Sequence, residues 1–314
     1  MQPYTIIGAG GAIGTPLAQE LIKSGKPVRL LSRSGKPFEG AESRSTDVFN
    51  QQALTEAIRG SKVAYLLVGL DYNTKLWQEK WPIVMQNTLN ACAETGVPLV
   101  FFDNVYMYGP VKGKMTEETP FHPSSKKGSV RAQIATMLLD AVQRGEVTAC
   151  IARSADFYGP WADEKSMFYQ TVFKNISEGK KSQWLGNPAM AHTMTYTLDC
   201  AKALIILAED PTAFNQTWHL PSKNPPPVPT DLIRISAREM GVPYTGVQAA
   251  PKWLIRILGL FIPIMKEMVE MVYQNEETYW FDSSKFEQKY GYRPTSYEEG
   301  ICETVKFFNL RKNA

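Results

Sequence analysis

Three short stretches of the chain carry residue types suited to holding a phosphorylated ligand. The first, Gly8-Ala9-Gly10-Gly11-Ala12-Ile13-Gly14, follows the apolar run 5–7 and leads into an apolar face at Leu17 and Leu21. Glycines at 8, 11 and 14 let a strand turn sharply, let backbone N–H groups approach a pyrophosphate, and let the next helix lie close to the strand with its N-terminus toward the anion. The spacing is GxxGxxG, because Ile stands at position 13. The candidate contacts are Gly8, Gly11, Ala12, Ile13 and Gly14. The second stretch, Leu30-Leu31-Ser32-Arg33-Ser34, closes the next apolar run. An acidic residue there would accept from the ribose hydroxyls of NAD and repel a 2′-phosphate. Ser32 and Arg33 remove that repulsion and supply a donor and a cation, so NADP is favoured over NAD. In the third stretch, Thr46-Asp47-Val48, Asp47 either accepts from an adenine amino group or caps the helix that follows.

These residues need elements to position them. Apolar runs of strand length recur at 5–7, 28–31, 63–68, 99–102 and 147–151, each bounded by Gly, Pro or polar residues, as strands covered on both faces are. Between them lie helical faces: Ile13, Leu17 and Leu21; Leu54, Ala57 and Ile58; Ile83, Met85, Leu89 and Ala93; Ile134, Met137, Leu138 and Ala141. Strand alternating with helix implies an α/β fold, a Rossmann-type doubly wound parallel sheet with right-handed crossovers. Beyond residue 155 turn signals multiply, and the run Asn224-Pro225-Pro226-Pro227-Val228-Pro229 fits neither helix nor central strand. Residues 197–208 read as one more helix of the first domain. The expected division is a dinucleotide-binding domain of residues 1–154 plus 191–214, and a smaller C-terminal substrate lobe of 155–190 plus 215–314.

Composition excludes several classes of function. The 314 residues, 44% apolar and 21% charged, are enough for two domains and suit neither a disordered nor a repeat protein. Lys and Arg number 34 against 31 Asp and Glu, with no basic run longer than a pair, which argues against nucleic acid and anionic membranes as partners. The four cysteines lie far apart with no CxxC pair, so neither a disulfide framework nor a metal site is expected. No charged n-region followed by an h-region opens the chain, and a cytoplasmic protein is the expectation. The most apolar segment is interrupted by Arg256 and Pro263 and cannot span a bilayer, which needs about 20 apolar residues. Its helical stripe of Trp253, Leu254, Ile257, Leu258, Phe261 and Met265 reads as lobe core or as a subunit contact, which leaves a homodimer open.

In this order of motifs the sequence resembles the short-chain dehydrogenase/reductase superfamily, in its extended branch of NAD-dependent epimerases and dehydratases. The resemblance covers almost the whole chain. It rests on the glycine turn, Asp47-Val48, the third apolar run up to Gly69, Val105-Tyr106-Met107-Tyr108-Gly109, Arg153 with Phe157-Tyr158-Gly159-Pro160, Thr197-Leu198-Asp199 and Gly291-Tyr292-Arg293-Pro294. It implies cofactor contacts at Val48, Val68 and Gly69. It also implies an NADP(H)-binding oxidoreductase of the epimerase/dehydratase type, acting on a small carbonyl or hydroxyl compound such as a sugar-like metabolite. The alternative is a catalytically silent NADP-binding sensor.

The family's catalytic set is a Ser or Thr after the fourth strand, then a Tyr and a Lys four residues apart on the next helix. Here the Ser position is Asn104, and the Tyr-Gly-x-x-Lys segment is Lys127-Gly128-Ser129-Val130-Arg131, so both members of the pair are replaced. Lys127 and Arg131 share one helix face, where like charges repel and favour loss of a proton from the lysine. Lys127 is then a proton donor, Arg131 a ribose or anion clamp, and Asn104 a guide for the substrate oxygen. The opposing reading makes Lys127 and Arg131 solvated helix residues on a fold that keeps its cofactor and has lost its chemistry. Tyr106, Tyr108 and Tyr158 are weaker phenol candidates that packing explains better. His122 reads as a loop residue, and His192 more as a packed residue than as one lining the cleft, while in this family the stripe at Trp253 can also wall the substrate pocket.

Overall fold

Strands covered on both faces become apolar throughout, and this rule accounts for the middle of the molecule's main sheet. The computed structural model describes residues 1–162 and 166–312. Its first half runs β1 (Tyr4–Ile7), α1 (Gly14–Lys23), β2 (Val28–Ser32), β3 (Ala41–Ser45), α2 (Gln51–Ile58), β4 (Val63–Leu66), α3 (Thr74–Thr95), β5 (Leu99–Asp103), β6 (Lys114–Met115), α4 (Lys126–Gln143) and β7 (Ala149–Arg153). There follow β8 (Asp156–Tyr158), α5 (Lys174–Ser177), β9 (Ser182–Leu185), β10 (Met194–Tyr196), α6 (Thr197–Glu209), β11 (Thr217–His219), α7 (Pro229–Glu239), β12 (Val247–Ala250), α8 (Lys252–Leu258), α9 (Pro263–Met268), β13 (Trp280–Phe281), α10 (Ser284–Tyr290) and α11 (Tyr297–Lys312).

Seven strands form the main sheet in the order β11-β7-β5-β4-β1-β2-β3, and the pairs from β3 through to β7 are parallel. The α/β, Rossmann-like fold expected from the alternating pattern is the one observed. Every residue of β1, β4 and β7 is buried. The chain moves outward from β1 to β2 and β3, then crosses to β4 on the other side of β1 and continues outward again. That reversal makes a crevice at the carboxyl ends of β1 and β4. Helix α3 packs between α2 and α4. It buries Trp77, Trp81, Val84, Met85, Thr88 and Leu89 and leaves Ile83 outside, so its inner face is rotated from the one expected at Ile83.

Two strands of this sheet have no apolar signature. β3 reads Ala-Glu-Ser-Arg-Ser and has no buried residue, because it is an edge strand whose outer side meets water. β11 is three residues long and takes the opposite edge. The chain divides into two compact units: Met1–Met107, Lys126–Ser154 and Cys200–Trp218 in the first, and Tyr108–Ser125, Ala155–Asp199 and the residues from His219 onward in the second. In the first unit Cys92 and Cys150 are buried free thiols, and desolvation pushes the Cys92 thiol up to about 12.

The second unit is built on an aromatic core of Tyr158, Phe168, Phe173, Trp184, Tyr196 and Tyr297, together with Leu232 and Ile233 of α7 and Ile301 and Val305 of α11. Parallel strand pairs β8–β10, β9–β12 and β6–β13 supply its short sheets. Asp199 ties the motif at the start of α6 to the late Gly-Tyr-Arg-Pro motif, accepting from Tyr292 Oη at 2.8 Å, Thr295 N at 2.8 Å and Thr295 Oγ1 at 2.9 Å. The stripe beginning at Trp253 is not lobe core. Ile255 is buried, but Trp253, Ile257 and Phe261 face outward, because α8 and α9 are too short and too sharply broken at Gly259–Pro263 for one continuous stripe.

The turn after β1 shows which glycine the fold requires. Gly8 has φ +90°, and a Cβ there would stand 2.7 Å from both Val68 Cα and Val68 N. Gly11 has an ordinary φ and open space around it. Gly8→Ala should lower stability by about 3 kcal/mol, as roughly 1–3 kcal/mol of backbone strain adds to the overpacking. Gly11→Ala should stay within about 0.5 kcal/mol. Urea midpoints of the two variants measure this, and equal losses would overturn the assignment.

Candidate active site

Parallel pairing carries each strand's carboxyl end to the same edge of the sheet. Along that edge stand the glycine turn after β1, Ser32 and Arg33 at the end of β2, Asp47 and Val48 beyond β3, Val68 and Gly69 beyond β4, and Asn104 beyond β5. The fold thus gathers into one row residues that lie up to about a hundred positions apart.

The turn itself suits an anion. Gly8 N and Ala9 N donate to Leu31 O at 2.9 and 3.2 Å, and Thr15 N donates to Gly11 O at 3.1 Å. Gly10, at φ +91°, and Gly11 both face open space that a side chain would fill. Helix α1 begins without a side-chain cap, so no capping side chain screens the positive end of its dipole. A pyrophosphate fits this cradle. The reading of glycines 8, 11 and 14 needs one amendment. Gly10, with its positive φ, is demanded by the turn, whereas a Cβ at Gly14 would make contacts of 3.4–3.7 Å, within or near the ordinary range.

At β2, Ser32 Oγ accepts from Gly35 N at 3.0 Å and shapes the bend after the strand. Arg33 is exposed, and its guanidinium has no protein partner among the described residues. Asp47 does not cap α2. Asn50 does, accepting from Ala53 N at 3.0 Å, while Asp47 Oδ1 accepts from Phe49 N at 3.0 Å within the preceding turn. Val48 O accepts from Asn87 Nδ2 at 3.0 Å, which fixes this loop to α3.

Asn104, Lys127 and Arg131 meet through a residue that pattern reading passed over, Asp103. Its Oδ1 accepts from Arg131 Nε at 2.7 Å, from Arg131 Nη2, and from Asn104 N at 2.8 Å. Its Oδ2 lies 3.8 Å from Arg153 Nε, the residue directly opposite in the β5–β7 ladder. Two guanidiniums thus flank one carboxylate that is fully out of water. Arg131 is further enclosed by Trp81, whose ring centroid lies 4.4 Å from its Cζ. Such an arrangement was detectable in principle: β5 and β7 are apolar runs that end in opposite charges, and a buried charge requires a partner.

Lys127 and Arg131 are not solvated helix residues, as one reading had them. Lys127 is 0% exposed and Arg131 3%. Lys127 Nζ donates to Thr74 Oγ1 at 2.8 Å and lies 4.6 Å from the centroid of Tyr72, so the start of α4 is moored to the start of α3. Arg131 answers Asp103 rather than repelling its neighbour on the helix. Arg131 Nη1 has no protein acceptor among the described residues, and neither has Asn104 Nδ2, because Asn104 Oδ1 accepts from Tyr106 N at 3.0 Å. Those are two donors on adjoining side chains that remain for a ligand.

The other candidates are accounted for by packing. Tyr106 stacks on Trp77 at 6.3 Å. In the second unit, Tyr158 is buried among Tyr196 and Tyr297, and desolvation holds its phenol well above its ordinary value. Tyr108 Oη lies 2.9 Å from His219 Nε2, while His219 Nδ1 meets Asp282 O at 2.8 Å. A carbonyl only accepts, so in the neutral ring Nδ1 carries the proton and Tyr108 donates to Nε2. Glu117 accepts from His219 N, and burial pushes its carboxyl upward. His122 is exposed. His192 is buried, stacked on Tyr279 at 4.3 Å and 3.0 Å from Asp156 Oδ2.

The fold has counterparts among known proteins. The model of the NAD-dependent epimerase/dehydratase family matches residues 4–219. The uncharacterized UDP-glucose epimerase YtcB of Bacillus subtilis (strain 168) is 23% identical over 238 residues, covering 68% of this chain and 75% of that protein. Among solved structures, dTDP-glucose 4,6-dehydratase from Bacillus anthracis in complex with NAD superposes with a TM-score of 0.82 at 15% identity, covering 100% of this chain and 98% of that one. UDP-glucose 4-epimerase from Thermotoga maritima with UDP-glucose gives 0.80 at 18% identity, covering 99% and 100%. At such identities the superpositions speak for the fold.

Removing the charge of Asp103 takes a buried carboxylate away from the guanidiniums of Arg131 and Arg153. Asp103→Asn should cost about 3–5 kcal/mol in urea denaturation. In a double-mutant cycle, Asp103→Asn with Arg131→Met should lose at least about 1 kcal/mol less than the sum of the single losses. Additive losses would show that the pair is not energetically linked.

Proposed function

The chain belongs to the NAD-dependent epimerase/dehydratase family, and from that membership we propose an enzyme that uses a nicotinamide cofactor to act on a sugar carried by a nucleotide. The observation that carries the cofactor reading is the turn after β1, where Gly10 and Gly11 leave open space before an uncapped helix. Its pyrophosphate would lie against the amides of residues 10–14, with the adenosine half toward Ser32, Arg33 and Asp47 and the remainder past Val68, Gly69 and Asn104. The nucleotide-sugar reading is supported by the likeness to YtcB over three-quarters of that protein's length.

A nicotinamide supplies hydride exchange at a carbon that bears oxygen. The chain's own groups handle that oxygen and its proton. Asn104 Nδ2 donates to the substrate oxygen and orients it. Lys127 Nζ gives the proton when a carbonyl becomes a hydroxyl and takes it in the reverse direction. Arg131 Nη1 holds the ribose beside it, with the guanidinium plane fixed by Asp103. Lys127→Met should lower kcat by about 10² while leaving cofactor affinity nearly unchanged. The assay is product analysis of UDP- and dTDP-linked sugars incubated with cofactor. Full turnover by Lys127→Met would move the proton transfer elsewhere, and cofactor binding with no turnover of any such sugar would turn the reading to a silent cofactor-binding protein.

The exposed Arg33 without a protein partner supports a 2′-phosphate, hence NADP, beside Ser32. Calorimetric titration should show NADPH binding more tightly than NADH, and Arg33→Ala should narrow the gap. Equal affinities, or tighter NADH, would assign NAD, the cofactor held by the Bacillus anthracis dehydratase.

A further inference from the structure

The second unit carries an apolar surface that the proposed chemistry does not use. Helices α8 and α9 form a hairpin joined by a turn at Gly259–Ile262, and Ile255, fully buried against Leu185 and Val272, anchors it from within. The opposite side is unusually apolar for a surface. Trp253 is 63% exposed, Leu260 79% and Phe261 80%, and Ile257, Ile262 and Ile264 stand out beside them. Six large apolar side chains thus face water within twelve residues. Isolated exposed apolar residues are ordinary, but a contiguous group on an ordered element marks a surface that something covers.

Charge indicates what covers it. Within the hairpin Glu267 is the one acid, against Lys252, Arg256 and Lys266, and no Asp or Glu occurs from Met240 to Lys266. Lys252 lies 3.8 Å from Glu276. Arg256 and Lys266 are exposed and have no carboxylate partner among the described residues. A second copy is a poor occupant, since a two-fold interface sets each patch against itself and would bring together cations that outnumber Glu267, the one acid of each hairpin. Neither helix is long enough to cross a bilayer. An apolar tip ringed by cations instead matches the boundary of an anionic lipid leaflet, where side chains enter the acyl region and Lys and Arg meet headgroups.

We propose that the α8–α9 hairpin docks the protein on anionic membrane surfaces, with Leu260 and Phe261 entering the lipid and Arg256 and Lys266 on the headgroups. This departs from the expectation that no membrane partner exists, in which overall charge and span length argued against a membrane and the stripe at Trp253 read as lobe core or a subunit contact rather than a membrane anchor.

The test is flotation of the full chain with vesicles of phosphatidylcholine alone and of phosphatidylcholine mixed with phosphatidylglycerol, alongside light scattering without lipid. Binding is expected only to the anionic vesicles and should weaken as salt rises. Leu260→Ser with Phe261→Ser should reduce partitioning at least about tenfold, and Arg256→Gln with Lys266→Gln by about the same factor. Both pairs are exposed, so unchanged far-ultraviolet dichroism and cofactor affinity would show that they fold. No binding to anionic vesicles, or binding that neither double variant weakens, would overturn the proposal. So would a dimer in solution that Leu260→Ser with Phe261→Ser splits while vesicles capture neither form, which would assign the surface to a second copy.

Discussion

A carboxylate with no access to water sits between two guanidiniums at the end of β5, and the geometry of the candidate site depends on it. Asp103 joins three elements: β5, which carries it, β7 through Arg153, and α4 through Arg131. Desolvating one carboxylate and two guanidiniums costs far more than a surface pair would, so the cluster persists only while all three are in place. Its consequence is directional. With two nitrogens of Arg131 committed to Asp103, the third points away from it, and the Asn104 amide held on the same oxygen turns that side chain into a fixed position. The ionic cluster supplies the rigidity that a site needs if its remaining donors are to act.

The sheet provides the second constraint. Six parallel strands deliver their carboxyl ends to one edge, and the reversal of strand order between β1 and β4 opens that edge where the glycine turn stands. Gly8 can pack on the Val68 backbone only without a side chain, so the first and fourth strands approach each other at the turn more closely than any other residue would permit. The cradle and the row of candidate contacts are therefore one structure. The amides of the turn are set by the same close approach that brings Val68 against Gly8.

The second unit follows a different economy. Its tyrosines are buried together, and the loss of water that raises the phenols of Tyr158, Tyr196 and Tyr297 also removes them from proton transfer near neutrality. Its polar interior is held by specific acceptors, Asp199 for Tyr292 and Thr295, and His219 for Tyr108. Exposed apolar residues of this unit gather on the α8–α9 hairpin, where Lys252, Arg256 and Lys266 outnumber Glu267.

The sequence alone determined what local chemistry determines. Continuous apolar runs read as covered strands, a glycine cluster between strand and helix as a tight turn, and counting from motif to motif singled out Asn104, Lys127 and Arg131. Tertiary structure decided whatever depends on partners distant in the chain. β3 and β11 are strands because their neighbours offer an unpaired edge, since their own residues carry no apolar pattern. Gly10 rather than Gly14 proved indispensable because φ, which no composition reveals, is positive there. The pair on α4 looked equally like a solvated face and a site. It is buried because Asp103, 28 residues before Arg131, and Thr74, 53 residues before Lys127, come within hydrogen-bonding distance, and only long-range packing brings them there. The stripe at Trp253 turned outward for the same reason: periodicity shows that a face is apolar, and only the rest of the fold shows whether anything is there to cover it.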